Sequence, residues 1–256
     1  MLDRGLLCVL VLACCKISHA SGFYVSSPIP EEFKKLDVVL YNSYFKTSPY
    51  SFTTLPSLQF YYGIAPNLDI ELLLDNAFYA PHSSGSINAN ANGVGDSLLS
   101  STFCFLHESK YLPQLGFMPT ILVPTGSYNA GLGNGRPAFY LPIGGDKTWD
   151  SWRFILNLGY TYNMAPAFLN YFYGGGRVKY AVNESLNLGA EIYYQQATAQ
   201  NNSADNGYIL AVGQYTLLNI GGDYRLTKNL TLLLSAGKNI SGSRVLVTYL
   251  GLDYQL

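Results

Sequence analysis

Period-two alternation is the feature that most limits what this chain can become. From Leu186, one face reads Leu186, Leu188, Ala190, Ile192 and Tyr194, and the other Asn187, Gly189, Glu191, Tyr193 and Gln195. From Trp152, an apolar face of Trp152, Phe154, Leu156, Leu158, Tyr160 and Tyr162 opposes Arg153, Asn157 and Thr161. Leu68, Ile70, Leu72 and Leu74 oppose Asp69, Glu71 and Asp75. Successive side chains of a strand point to opposite faces, so each stretch reads as a strand with one apolar side. Rings at the ends of two of these apolar faces are what the interfaces of a bilayer select. Charge is sparse: 12% of residues are charged, against about 25% in soluble domains. The chain has 22 Tyr against 2 Trp, and its formal net charge is −1. No basic patch argues for nucleic acid. A soluble β-sandwich would also alternate, but it would not gather Tyr at strand ends.

The mature sequence has no apolar run near the roughly 20 residues a membrane helix needs. The first twenty residues read as a signal peptide instead: Arg4 in a short n-region, an apolar stretch from Gly5 to Cys15, and Ser18-His19-Ala20 as the cleavage site. Two other readings of this end are an N-terminal core helix and a lipoprotein cut before Cys14, after Val11-Leu12-Ala13. Cys8, Cys14 and Cys15 lie in the leader, so cleavage after Ala20 leaves Cys104 alone and no intramolecular disulfide.

Three segments share one form, with Tyr six residues before Leu: Tyr62 to Leu68, Tyr180 to Leu186 and Tyr224 to Leu230. Polar turn formers lie between, so each reads as a short turn between a descending and an ascending strand. His107 to Pro113 and Gly145 to Trp152 look similar. The intervening connections, such as Ala80 to Asn92, Pro124 to Arg136 and Ala197 to Asn206, are longer and polar. Short turns on one side and long loops on the other mark an outer-membrane barrel.

The expected fold is therefore all-β: an antiparallel up-and-down transmembrane β-barrel of about twelve strands after an N-terminal signal peptide. Expected strands are 36–46, 53–63, 68–78, 93–107, 113–124, 137–146, 151–163, 169–181, 186–197, 207–226, 230–238 and 244–255. Pro137, Pro142 and Gly144-Gly145 interrupt the sixth. Three segments result: the signal peptide 1–20, a periplasmic N-terminal segment 21–35, and the outer-membrane barrel 36–256. Pro28 to Lys35 forms a helical turn in the periplasm or tucks into the lumen. The last strand carries Leu246, Leu250, Leu252, Tyr254 and Leu256 on one face, although such barrels usually end in Phe.

Several short motifs follow in order: Gly93-Val94-Gly95-Asp96, Val123-Pro124-Thr125-Gly126, Gly131-Leu132-Gly133-Asn134-Gly135, Tyr140-Leu141-Pro142 and Leu234-Ser235-Ala236-Gly237. With the repeated Tyr-to-Leu turns, this order resembles the outer-membrane barrel family labelled as transporters of the meta-pathway of phenol degradation. The resemblance runs from about residue 37 to the end. The Gly-x-Lys-Tyr expected after Asp96 is absent; Ser100-Ser101-Thr102-Phe103 stands there. The resemblance implies a barrel that passes small, apolar molecules, and it brings no catalytic residues.

Enzymatic signals are weak. Gly126 and Gly131 have phosphate-loop spacing, but Leu132 stands where Lys is required. A barrel hydrolase needs a nucleophile beside a base. The mature chain offers only His82, followed by Ser83 and Ser84, and His107 near Ser109. No cofactor, metal site or catalytic residue is expected. Gly174-Gly175-Gly176 inside a strand suggests a bend or close packing against lumen contents.

By alternation, Asp69, Glu71, Asp75, Asp96, Arg153, Arg177, Lys179, Glu191, Asp223 and Arg225 face the lumen, because an Arg or Lys at the lipid-facing midplane costs about 2–4 kcal/mol. Acids on the third, fourth and ninth strands then face bases on the seventh, eighth and tenth. Tyr61, Tyr171, Tyr173, Tyr193 and Tyr215 also point inward, as an aromatic path or as filling. Two function classes follow: a passive channel for small, hydrophobic or aromatic molecules, or a structural barrel with a filled lumen whose long loops bind a partner. The partners implied are outer-membrane lipid, the barrel-assembly machinery during insertion, and a small-molecule solute.

Overall fold

The computed structural model describes residues 22–48, 50–81, 90–166, 168–198 and 212–256. The expected signal peptide 1–20, and His82 with Ser83 and Ser84, lie outside the described residues.

Fifteen strand segments follow one another: β1 (Leu36–Thr47), β2 (Tyr50–Ala65), β3 (Leu68–Pro81), β4 (Ala91–Val94), β5 (Ser97–Ser100), β6 (Phe103–Leu106), β7 (Gln114–Phe117), β8 (Thr120–Val123), β9 (Ala138–Trp149), β10 (Trp152–Asn163), β11 (Tyr171–Ala181), β12 (Leu186–Gln195), β13 (Tyr215–Arg225), β14 (Leu230–Gly242) and β15 (Val245–Gln255). β4, β5 and β6 lie end to end against β3, and β7 and β8 lie end to end against β9. Each set is one interrupted stave, so the described residues form twelve staves. All neighbours pair antiparallel in sequence order, and β1 pairs with β15 from Asp37↔Gln255 to Thr47↔Val245. Among the described residues that pairing closes the ring, as a lipid environment requires; β4, at the long-loop end, pairs with β3 alone.

Alternation sets which face is which. On β10, Leu158 is 71% exposed on the outer surface while its neighbour in pattern, Ile155, is 0% exposed on the inner one. The outward faces of the other staves repeat this with Leu72, Leu188, Ile220 and Leu250. So broad an apolar belt belongs against lipid, not water. Trp152 and Tyr180 pair with ring centroids 4.7 Å apart near the short turns, and Tyr160 and Phe172 pair at 4.8 Å near the long loops. These rings mark the two edges of the belt.

The sixth stave corrects the sequence reading. β9 runs unbroken from Ala138 to Trp149 through Pro142, and the turn after it is only Asp150-Ser151. Asp150 takes a φ of 50° there, a left-handed conformation that Asp tolerates. Pro142 is accommodated because a strand residue directs its N–H and C=O to the same neighbour. Its carbonyl accepts the Met118 N–H at 3.0 Å, and Met118 lies in the gap between β7 and β8. The absent donor of Pro142 thus points at a break in the neighbouring stave.

Candidate functional site

The residues before β1 run inside the barrel, along its inner wall. Hydrogen bonds set this course. The Gly22 carbonyl accepts from the Asn219 side chain at 3.1 Å and from the Ser235 hydroxyl. The Tyr24 and Val25 N–H groups donate to the two Glu191 carboxylate oxygens at 3.0 and 2.9 Å. Asn157 donates to the Ser26 carbonyl at 2.8 Å, and Gln114 to the Pro28 carbonyl at 2.9 Å. The Glu31 N–H donates to Asp69 at 2.7 Å. The segment leaves at the periplasmic rim, where the Lys34 N–H donates to the Gly63 carbonyl at 2.8 Å. A buried backbone group without a partner is costly, so wall side chains replace the ladder that this non-strand segment lacks. The sequence reading put 21–35 in the periplasm and offered a luminal position only for Pro28 to Lys35; residues 22–31 lie along the inner wall.

Packing reinforces the polar contacts. Val25 is fully buried in one cluster with Ile155, Tyr193 and Leu217, and the Tyr24 ring stacks on Tyr193 with centroids 4.9 Å apart. Gly175 is one of the wall glycines that let the segment approach. A Cβ there would sit 2.9 Å from Val25 Cγ2 and 2.3 Å from the Ile192 carbonyl oxygen. This is the close packing that the Gly174-Gly175-Gly176 run suggests.

Beside the segment lies a cavity of about 420 Å³. Its wall carries six tyrosines (Tyr24, Tyr61, Tyr140, Tyr171, Tyr173 and Tyr193), two carboxylates (Asp69 and Glu71), and the apolar Leu98 and Met118. Gly159 makes room for the Tyr173 ring: a Cβ there would lie 2.3 Å from Tyr173 Cζ. The rings of Tyr171, Tyr173 and Tyr193 follow one another at 6.2 Å centroid spacings, forming one aromatic wall on β11 and β12. Asp69 and Glu71 stand on β3.

The remaining predicted residues have other surroundings. Arg153 grips Asp146 through Nε and Nη2 at 2.7 to 3.0 Å and also donates to Ser27 at 2.9 Å. Lys179 pairs with Asp223 at 2.5 Å. Arg177 lies opposite Glu191 in register and 5.2 Å from the Phe23 ring. Glu71 accepts from Gln59, and Asp75 from the Tyr41 hydroxyl at 3.3 Å. Tyr215 lies outside the cavity lining, donating to Gln195 at 3.4 Å. Arg225 is half-buried near the periplasmic end of β13. Of the expected pairings, the acid of the ninth stave and a base of the eighth, Glu191 and Arg177, stand in register; Arg153 and Lys179 pair with Asp146 and Asp223.

Asp96 has a different task. It accepts the Gly126 N–H at 3.0 Å and the Asn134 N–H at 2.6 Å, while the Thr125 hydroxyl donates to the Gly95 carbonyl at 2.7 Å. Leu132 packs with Tyr50 and Ala77. The motifs at 93–96, 123–126 and 131–135 thus meet in one corner that folds a long loop inward.

Sequence reasoning left out of the lumen set Asp146, the last residue of the expected sixth strand, and Tyr24, Glu31 and Tyr140. It also passed over Asp37 and Asp253, although alternation along β1 and β15 places both inward and both are buried. Burial and a hydrogen bond with Asp37 push the Glu31 carboxyl up to about 8.

These features define a class: a closed, twelve-stave outer-membrane β-barrel whose own N-terminal segment occupies part of the lumen. The sequence matches the family described as "Putative MetA-pathway of phenol degradation" over residues 41–249, and the chain belongs to that family. Its fold is similar to that of an outer membrane channel from Pseudomonas putida F1, with a TM-score of 0.71 at 16% identity, covering 93% of this chain and 100% of that one. The KdgM porin, solved with disordered oligogalacturonate, has a TM-score of 0.54 at 10% identity over 84% of this chain and 98% of its own. The NanC porin has a TM-score of 0.54 at 12% identity over 86% of this chain and 100% of its own. No curated protein matches the sequence.

Proposed function

We propose that this protein is a passive outer-membrane channel for small molecules with an apolar or aromatic body, narrowed by its own N-terminal segment. The observation that carries this reading is the tyrosine-lined cavity of about 420 Å³ inside a closed barrel. A concave site that combines aromatic and apolar surface with fixed polar groups is the usual form of a small-molecule site. The description of its family, tied to phenol degradation, supports an aromatic solute. The porins that share its fold support passive passage.

The test is conductance and solute flux in planar bilayers and liposomes, comparing the mature protein with a chain lacking residues 22–31. Removal of the segment is expected to raise conductance severalfold, and the intact protein is expected to pass small aromatic solutes. The segment's dense anchoring also supports the second reading, a structural barrel with a filled lumen. A folded barrel that passes no solute, with or without residues 22–31, supports that reading and refutes the channel.

A further inference from the structure

We propose that the luminal cavity is a binding site for small organic cations, alkyl- or aryl-ammonium compounds, and that it rejects anions of the same shape. The inference rests on reading the cavity as the solute site and adds the charge of its occupant. Among the described residues, the lining contains two carboxylates, Asp69 and Glu71, and no Lys, Arg or His.

The reason is where the positive charges went. Arg153 is held by Asp146 at 2.7 Å and Lys179 by Asp223 at 2.5 Å. Arg177 is directed at the Phe23 ring and lies in register with Glu191. All three bases are committed to the wall and the threaded segment; Arg153 reaches the lining residue Ser27 at 2.9 Å, with its charge held by Asp146. Asp69 receives the N–H groups of Glu31 and Thr102 at 2.7 and 2.8 Å, and Glu71 receives the Gln59 amide. These donors are neutral dipoles; they favour the charged form of each carboxylate and bring no countercharge into the lining, and an ammonium bound beside the carboxylates favours that form further. A negative site with low-dielectric walls concentrates cations and excludes anions.

The other wall is suited to the same ligand. Tyrosine rings attract a cation through their quadrupole, and several rings around one ammonium form a cage that water-exposed side chains cannot match. Tyr171, Tyr173 and Tyr193 supply a continuous run of rings, and Tyr24 extends it from the threaded segment. A neutral hydrocarbon would gain from the rings and nothing from the carboxylates. An anion would meet the carboxylates without a base to offset them. An ammonium with an apolar body uses both walls.

The test compares three water-soluble probes of one shape: choline, 3,3-dimethylbutan-1-ol and 3,3-dimethylbutanoate. Binding to the purified barrel in detergent is followed by titration calorimetry, which needs no passage through the channel, so a blocked pore does not count against the site. Choline is expected to bind at least tenfold more tightly than the alcohol, and the carboxylate not measurably. Glu71→Gln is expected to remove most of the preference for choline while leaving the alcohol's affinity within about twofold. Should the variant fail to fold by heat-modifiable migration, the comparison of choline with its neutral isostere on the native chain decides alone. Equal affinities for choline and the alcohol, preference for the carboxylate, no choline binding, or an undiminished preference in a folded Glu71→Gln barrel each overturn the proposal.

Discussion

Replacing Glu191 by Ala removes the main anchor of the threaded segment. Its carboxylate accepts the N–H groups of Tyr24 and Val25 at 3.0 and 2.9 Å, and also the Asn219 amide at 2.9 Å. Hydrogen bonds to a charged group contribute about 1.5–3 kcal/mol each, so the two that hold the segment amount to about 3–6 kcal/mol. Water entering the space left by the side chain re-solvates the freed N–H groups, which favours the lower end. A loss of about 3 kcal/mol raises the undocked-to-docked ratio roughly a hundredfold. Val25 is 0% exposed, so a Val25→Cys thiol meets a water-soluble methanethiosulfonate only when the segment undocks. With fast redocking, the labelling rate follows the open population. Glu191→Ala should therefore raise that rate by about two orders of magnitude and add open-state current in planar bilayers. A rate within twofold of the parent, in a barrel that still shows heat-modifiable migration, would refute the claim that Glu191 holds the segment.

Gly175→Leu should act on the same element by steric conflict with Val25 and with the Ile192 carbonyl of the neighbouring stave, giving faster Val25→Cys labelling in a barrel that still shows heat-modifiable migration; unchanged labelling would show the contact is not limiting. Glu31 adds a pH dependence. Its carboxyl stands near 8 in the folded protein against 4.5 for a free group, so its contribution is complete below about 4.5 and lost as pH rises through about 8. Labelling, normalised to a Glu31→Gln chain, should increase between pH 5 and pH 9; a flat ratio contradicts the assignment. Leu156→Arg places a charge in the lipid-facing belt and should destabilise the barrel by about 2–4 kcal/mol in urea unfolding from liposomes. A cost below about 1 kcal/mol would mean that this position does not face lipid.

Alternation was enough to read the barrel. Strand geometry ties side-chain direction to residue parity, and lipid outside a closed sheet forces one parity to be apolar. Leu68 to Leu74, Trp152 to Tyr162 and Leu186 to Tyr194 therefore announced their outward faces, and the turns and loops between such stretches gave twelve staves, without tertiary information. Parity also placed Glu191, Arg177 and Tyr193 on the inner face. It could not say what those groups meet there. Glu191 was expected to oppose a base, and it also receives two backbone N–H groups from a segment more than 160 residues earlier in the chain. Residues 22–31 have no periodicity because they belong to no strand, so no local pattern marks where they lie. Their position is decided by Asn219, Asn157, Gln114 and Asp69, donors and acceptors that converge only when the sheet closes. Pro142 shows the same limit: its acceptance in β9 depends on a gap between β7 and β8, which lies on another stave. The sequence determined the wall, through a period that each strand carries by itself. Only the tertiary structure decided the contents of the lumen, because contacts across it join residues that no local rule relates.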